Sequence, residues 1–376
     1  MTTLIISALL TGALAYLCLA LVLARWADRV PEADERHEFR TRDGWTLTVH
    51  RFLPRGAPVS MRTPVILGHG LMMNRASWEL SPQGSMIRAL CDRGHDVFVA
   101  EYRGARSSRA PVARNTNAYW DYSIEDLVEH DLPTIIEGVC ALTESERVNW
   151  VGHSLGGILI YLYAARSGCQ RLGRVVTLGS PVVFSALAGP GPTAARGYRR
   201  LLPWRKVFRA RMGLVAVLPL ALLLPGIVLT LVLNSKNLDA QARLTLIRGS
   251  VEDISTRLLD WFLARVPAGE TLSLVSADSV DGDVLASFEA PLLVVAGGRD
   301  LIAPPQAVRP AYEHASSAEK HYLLLDGTGE LEGVPSFGHS DMPSSPAAVL
   351  HLVPIIANWL ENHSEHREET DALVAS

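Results

Sequence analysis

The sequence is poor in cysteine, nearly balanced in charge and free of internal repeats. Its four cysteines (Cys18, Cys91, Cys140, Cys169) show neither CxxC nor metal-ligand spacing. Nothing in that pattern points to a disulfide framework or a metal site. Free thiols are expected, with a lean toward a reducing compartment. A net charge of −4 argues against nucleic acid as a partner. No cofactor is implied, and the sequence carries no signal for oligomeric state.

Acid is missing locally as well. No Asp or Glu occurs from Arg147 to Leu238, and Arg196, Arg199, Arg200, Arg205, Lys206, Arg209 and Arg211 cluster inside that stretch. A basic run beside an apolar run fits a surface near anionic lipid, or else a solvated basic helix face.

Two runs lack charge altogether. Leu4–Ala24, "LIISALLTGALAYLCLALVLA", is long enough for a membrane helix. No Lys or Arg precedes it, so an uncleaved anchor fits better than a secretory signal. Arg25 and Arg29 follow it, which places the body on the cytoplasmic side. The second run, "GLVAVLPLALLLPGIVLTLVL" at 213–233, contains Pro219 and Pro225. Two short helices broken at the prolines are expected there.

What is present reads as a globular enzyme. The apolar share of 48% is enough to build a large core. "HEFRTRDGWTLTVHRFLP" alternates around Asp43-Gly44, a hairpin signal. Short apolar strands then alternate with helical stretches: "TPVILGHG", "SMIRALCDRG", "DVFVAEYRG", "IEDLVEHDLPTIIEGVCAL" after a Ser123 cap, "RVNWVGHS", "LGGILIYLYAARSG" and "GRVVTLGSP". A kink is expected at Pro133. The alternation breaks after residue 181 and resumes with "APLLVVAGGRD", "KHYLLLDG" and the last helix, capped by Ser345 before Pro346. Such alternation predicts an α/β fold whose mostly parallel central sheet has helices on both faces. The expected parts are an anchor (or uncleaved signal) at 1–28, a core at 36–181 and 289–361, a helical cap insertion at 182–288, and a flexible tail at 362–376.

"VGHSLGG" carries the sharpest chemistry. Gly152-His153-Ser154-Leu155-Gly156 is G-x-S-x-G between a predicted strand and a predicted helix, the context of a nucleophile elbow. A serine hydroxyl needs a base, and the base needs an orienting carboxylate, in the chain order Ser, acid, His. Asp300 follows the strand "PLLVVAGG", and His339 lies in "FGHSDM" after the next strand. Asp326 is the rival acid; Asp341 is too close to His339 in sequence to be favoured. His314 and His321 read as surface residues, and His153 as structural. Two backbone donors should hold the oxyanion: the N–H of Leu155, and that of Leu71 in "GHGLMM", with Met72 next in line.

The chain resembles an α/β-hydrolase, and within that fold the acid lipase family of gastric and lysosomal type. The matching stretches are "TRDGWTLTVHR", "HGLMMNRASW", "GHDVFVAEYRGARSS", "YWDYSIEDLVEHDLPTIIE" and "VNWVGHSLGG", from Thr41 to Gly157. "GGRDLIAPP" and "GHSDM" match more loosely. The resemblance implies a triad of Ser154, Asp300 and His339 with oxyanion donors at Leu71 and Leu155. It departs after the nucleophile, where that family commonly has Gln and then Thr; here stand Leu155 and Gly157. The insertion is also shorter and does not visibly match.

The expected activity is hydrolysis of carboxylic esters with an apolar acyl part, through an acyl-enzyme. The same triad would serve an acyltransferase or thioesterase, and a binding protein that has lost catalysis is the reading from another class. The partners expected are an apolar ester or lipid substrate and membrane lipid. Chain order also bears on 213–233. Ser154 precedes that run, and Asp300 and His339 follow it, so a single crossing would split the triad across a bilayer.

Overall fold

The computed structural model describes residues 11–12, 14–16, 18–19, 22, 32–55, 62–184, 196–197, 199–200, 206–213, 233–268, 271–272, 284–328 and 333–361. Strands β1 (Glu35–Arg40) and β2 (Thr46–Phe52) pair antiparallel around the expected Asp43-Gly44 turn. Gly44 has φ +92°, a conformation a side chain would strain. Next come β3 (Val65–Gly68), β4 (Val97–Glu101), β5 (Val148–His153) and β6 (Leu172–Leu178). Two short strands, β7 (Val207–Phe208) and β8 (Ile254–Ser255), pair with each other inside the insertion. Finally β9 (Leu292–Gly297) and β10 (Lys320–Leu325) return to the main sheet.

That sheet has eight strands in the order β1-β2-β4-β3-β5-β6-β9-β10. It is parallel from β4 to β10, and β2 alone runs antiparallel to its neighbours, β1 and β4. Every residue of β3, β4, β5 and β9 is buried, the mark of strands covered on both sides. Alternate residues feed two different cores. Phe98, Ala100 and Trp150 enter one, and Val97, Val99 and Val151 enter the other. The centre of the sheet therefore has no solvent face, in contrast to the edge strand β1 with its exposed alternate residues, and the loops at the sheet's ends are left to carry chemistry.

β6 and β9 are neighbours although the whole insertion lies between them in the chain. The insertion thus leaves at the carboxyl end of β6, and the chain re-enters the sheet at the amino end of the adjacent strand β9.

The helix after Ser123 differs from a simple kink at Pro133. It runs Ile124–Asp126, widens into a π turn at Leu127–Asp131, and continues as an α-helix over Leu132–Thr143. The last helix repeats this, with a π turn at Ala348–Leu352 before Val353–Glu361 and Pro354 just beyond the turn. Proline has no N–H to give, and the wider turn absorbs the missing bond and the ring's bulk. Ser345 caps that helix as expected, its Oγ accepting the Ala348 N–H at 2.9 Å.

Cys18, Cys91, Cys140 and Cys169 are all free thiols. Most of Leu4–Ala24, residues 214–232 and the tail beyond Glu361 lie outside the described residues. Among the described residues no helix is long and apolar enough to cross a membrane, so the expected N-terminal span gains no support from the fold.

Candidate active site

Ser154 stands between β5 and the helix Leu155–Ser167, with φ +52° and ψ −111°. Few residues with a side chain adopt such a backbone, and it costs on the order of 1–3 kcal/mol. Its neighbours make the turn possible. A Cβ on Gly152 would lie 2.6 Å from the Gly156 backbone, and one on Gly156 would lie 2.1 Å from Gly68 O. Only glycine fits either place. The Ser154 N–H donates to Leu178 O at 2.9 Å, tying the turn to the end of β6. Among the described residues the Ser154 hydroxyl has no hydrogen-bond partner, and the residue is half-buried.

Asp300 follows β9 and is 2% exposed. Its Oδ1 accepts the N–H groups of Ile302 at 2.9 Å and Ala303 at 2.7 Å. Its Oδ2 lies 2.7 Å from His339 Nδ1. With both oxygens engaged, the carboxylate is fixed in orientation and holds a proton on Nδ1. The other ring nitrogen, Nε2, is then left able to accept a proton. The loop carrying the imidazole is pinned from several sides. Arg299 N–H donates to Phe337 O at 2.8 Å. Asp341 accepts the Gly338 N–H at 3.1 Å, the Asn234 N–H at 3.0 Å and the Asn237 amide at 2.7 Å. Burial raises the Asp341 carboxyl above its ordinary pKa, against those hydrogen bonds.

His153 is buried behind the serine. Its Nε2–H donates to His339 O at 3.0 Å, and the two rings lie 4.7 Å apart. Burial holds it well below the ordinary histidine pKa, helped by the neighbouring His339. It stays neutral and braces the other histidine. The remaining candidates stand apart from this cluster. Asp326 bonds to Thr328, His314 is exposed, and His321 packs edge-on against Trp359.

Beside the serine runs the loop after β3, where a Cβ on Gly70 would lie 3.4 Å from Ser154 Cβ. Met72 sits at φ +60°, and Met73 N–H closes a turn onto Gly70 O at 3.2 Å. Leu155 opens its helix, where the first amides have no partner within the helix. Among the described residues, neither the Leu71 nor the Leu155 N–H finds an acceptor.

Sequence reasoning missed the groups that hold this loop. Asn74 Nδ2 donates to Gly249 O and to Glu252 Oε1, both at 2.9 Å. Asn74 N–H donates to Ser250 O at 2.9 Å, and Glu252 N–H donates to Met72 O at 2.8 Å. Met73 and Val251 form a β-bridge. Arg106 Nε donates to Glu252 Oε1 at 2.8 Å. The insertion thus grips the loop backbone directly. Nearby, burial raises Glu101 to about 7, with the Glu252 charge adding to the effect. Between loop and insertion remains a cavity of about 20 Å³, lined among others by Leu71, Met72, Leu155, Ile254 and Leu258. That is room for a water and not for an acyl chain.

Among the described residues one cluster has the donor atoms for a metal: Asp43, Asp126 and His130. Arg103 Nη1 already lies 2.9 Å from Asp43 and 3.8 Å from Asp126, so a cation is built in.

A half-buried serine on a strained strand–helix turn, beside a buried Asp–His pair at the carboxyl edge of a parallel sheet, defines the architecture of the α/β-hydrolases. The sequence profile described as alpha/beta hydrolase fold matches residues 63–330, and the chain belongs to that family. A second profile, described as a partial alpha/beta-hydrolase lipase region, matches residues 33–81. Triacylglycerol lipase 2 of Arabidopsis thaliana is 27% identical over 77% of this chain and 69% of its own length. Lipase member K of Homo sapiens is 26% identical over 87% of this chain and 88% of its own. Gastric triacylglycerol lipase of Rattus norvegicus is 32% identical, over 32% of each chain. Among solved structures, an esterase from Exiguobacterium antarcticum covers 87% of this chain and all of its own, with TM-score 0.58 and 15% identity. A monoacylglycerol lipase from Paleococcus ferrophilus covers 84% of this chain and 98% of its own, with TM-score 0.53 and 19% identity. These two likenesses concern the fold.

Proposed function

We propose that the protein is a serine hydrolase of carboxylic esters with an apolar acyl part, working through an acyl-enzyme. The observation that carries this reading is the 2.7 Å contact between His339 Nδ1 and the doubly anchored Asp300. Ser154 Oγ attacks the ester carbonyl while His339 Nε2 takes its proton. The carbonyl oxygen becomes an oxyanion held by the Leu71 and Leu155 N–H groups. The imidazolium, steadied by Asp300, returns the proton to the leaving alcohol. A water then attacks the acyl-enzyme, again through His339, and the acid departs. The oxyanion donors act where charge develops, so they lower the barrier more than they tighten substrate binding.

Support for an apolar substrate comes from the named activities of the relatives and from the apolar lining beside Leu155. At about 20 Å³ that cavity holds no chain, so the insertion has to shift for a long ester to enter. We take the body as 36–181 and 289–361, the cap as 182–288, and 362–376 as a tail. Residues 1–28 then serve as a membrane anchor through 4–24, with the catalytic body on the cytoplasmic side.

Purified protein tests the reading with p-nitrophenyl esters of rising chain length and with a fluorophosphonate probe. Ser154→Ala should lose both turnover and labelling. Labelling that persists, or a preference for short soluble esters, refutes it. Deleting Leu4–Ala24 should release the protein from membranes; unchanged retention refutes the anchor.

A further inference from the structure

Leu178, the last residue of β6, and Gly179 after it stand against all three side chains of the proposed triad. Leu178 O accepts the Ser154 N–H at 2.9 Å. A Cβ on Gly179 would lie 2.9 Å from Asp300 Oδ2 and 3.3 Å from His339 Nδ1. Those are the two atoms that meet at 2.7 Å. One peptide step thus separates the contact with the serine turn from the contact with the acid–imidazole pair. The same Cβ would lie 2.8 Å from Cε of Met342, a fully buried side chain. Backbone and thioether methyl therefore close on the place where Asp300 and His339 join.

Gly179 has no freedom to draw back. Its N–H donates to Val295 O at 2.9 Å, continuing the β6–β9 pairing that matches Leu178 with Val295. Three residues on, Val182 N–H donates to Ala307 O at 2.8 Å. Between these anchors, Ser180 packs so closely on Gly157, in the helix after Ser154, that no side chain fits at 157. The Gly179 backbone has φ +53°, a left-handed conformation that glycine takes without steric cost. Glycine thus meets two demands here, the turn out of β6 and the close approach to the pair. Rate depends steeply on such placement, and an error of about 1 Å costs about a hundredfold. A buried hydrogen bond also keeps its strength only while water stays out.

We propose that Gly179 is a positioning residue of the ester hydrolysis proposed above, setting where the Asp300–His339 pair stands relative to Ser154 and keeping water from the bond between them. This role rests on the hydrolase reading for its effect on rate. Its effect on the bond is observable without turnover.

Gly179→Ala adds one methyl group at that point. In the full chain it should lower kcat for p-nitrophenyl esters about a hundredfold and leave KM within about threefold. The His339 Nδ1 proton, held by Asp300 and shielded from water, should give a separate proton NMR signal far downfield in the wild type, identified by its loss in Asp300→Asn. Gly179→Ala should shift or remove that signal, also on a Ser154→Ala background. Gly44→Ala is the control for backbone strain, at φ +92°, where a Cβ would meet Pro111 at an ordinary 3.7 Å. It should cost stability and leave kcat and the signal unchanged. Met342→Ala removes the methyl contact but not the one with Asp300. Gly179→Ala should therefore cost about the same factor on a Met342→Ala background, a comparison that also serves if the single variant does not fold. A loss under tenfold in both backgrounds, a loss that Met342→Ala cancels, a wild type without the downfield signal, or a signal that Gly179→Ala leaves in place overturns the proposal. A wild type that turns over no ester refutes the hydrolase reading instead, while the signal still decides whether Gly179 sets the pair.

Discussion

The strand–helix turn at Ser154 and the loop at Leu71 lie side by side, yet they are held by opposite means. The turn is locked against the sheet: Gly152, Gly156 and the end of β3 at Gly68 lie so close that neither of the first two has room for a side chain. The loop is locked from without, by Ser250, Val251 and Glu252 of an insertion that arrives late in the chain. The proposed nucleophile therefore stands on the sheet, while the loop proposed to hold the oxyanion is shared between sheet and insertion. A shift of the insertion to admit substrate would move one half of the site and leave the other still.

Substitutions can break that contrast, beginning with the rigid side. Ser154→Ala should lower kcat by about 10⁴-fold or more in ester hydrolysis while leaving the melting temperature nearly unchanged. Asp300→Asn should come next, with a loss of about 10³- to 10⁴-fold in kcat, because the amide no longer holds His339 in the right tautomer. Activity within tenfold of wild type would show that another carboxylate orients the base.

The flexible side should respond more gently. Glu252→Ala should lower kcat by about ten- to a hundredfold with a smaller change in KM, since it loosens an amide proposed to act in the transition state. Glu252→Gln keeps an oxygen for Asn74 and should recover much of the loss. If both variants lose only thermal stability, the insertion does not set the loop.

The smallest effects concern pH. Burial keeps His50 neutral with a pKa of about 3 and His69 with one of about 4, and holds His153 well below its ordinary value. The unfolded chain takes up these protons near pH 6.5 and the folded one does not. Stability should therefore fall as pH drops below about 6.5, by roughly 1.4 kcal/mol per pH unit per histidine. Glu101 opposes this. Its folded pKa of about 7 lies above the unfolded value, so its contribution is full at low pH and is lost as pH rises toward 7. Glu101→Gln should thus raise the melting temperature at pH 8 and leave it unchanged at pH 4. An equal shift at both values would place Glu101 in a different charge state.

Much of this was legible in sequence, for a physical reason that differs between regions. The strands read correctly because buried parallel strands are continuous apolar runs bounded by turns, as in "TPVILGHG" and "PLLVVAGG". The hairpin read correctly because Asp43-Gly44 is a local signal. Pro133 was recognisable as a disturbance, but not as a π turn, because the choice depends on how Leu127 and Val128 pack in the core. Asn74 and Glu252 carried no signal, since a lone polar residue in a loop looks solvated until its partner is known. β8 is two residues long and has no periodicity to find.

The sequence by itself determined the strands of the sheet, the turn at Ser154 and the chain order of Ser154, Asp300 and His339. Those features follow from steric limits between near neighbours and from patterns a few residues long. Tertiary structure alone decided that His153 braces His339, that Asp341 ties the histidine loop to Asn234 and Asn237, and that the insertion holds the Leu71 loop. Each of these contacts joins residues about a hundred or more positions apart. Which distant groups meet depends on how two buried faces close around the sheet, and no local pattern records that.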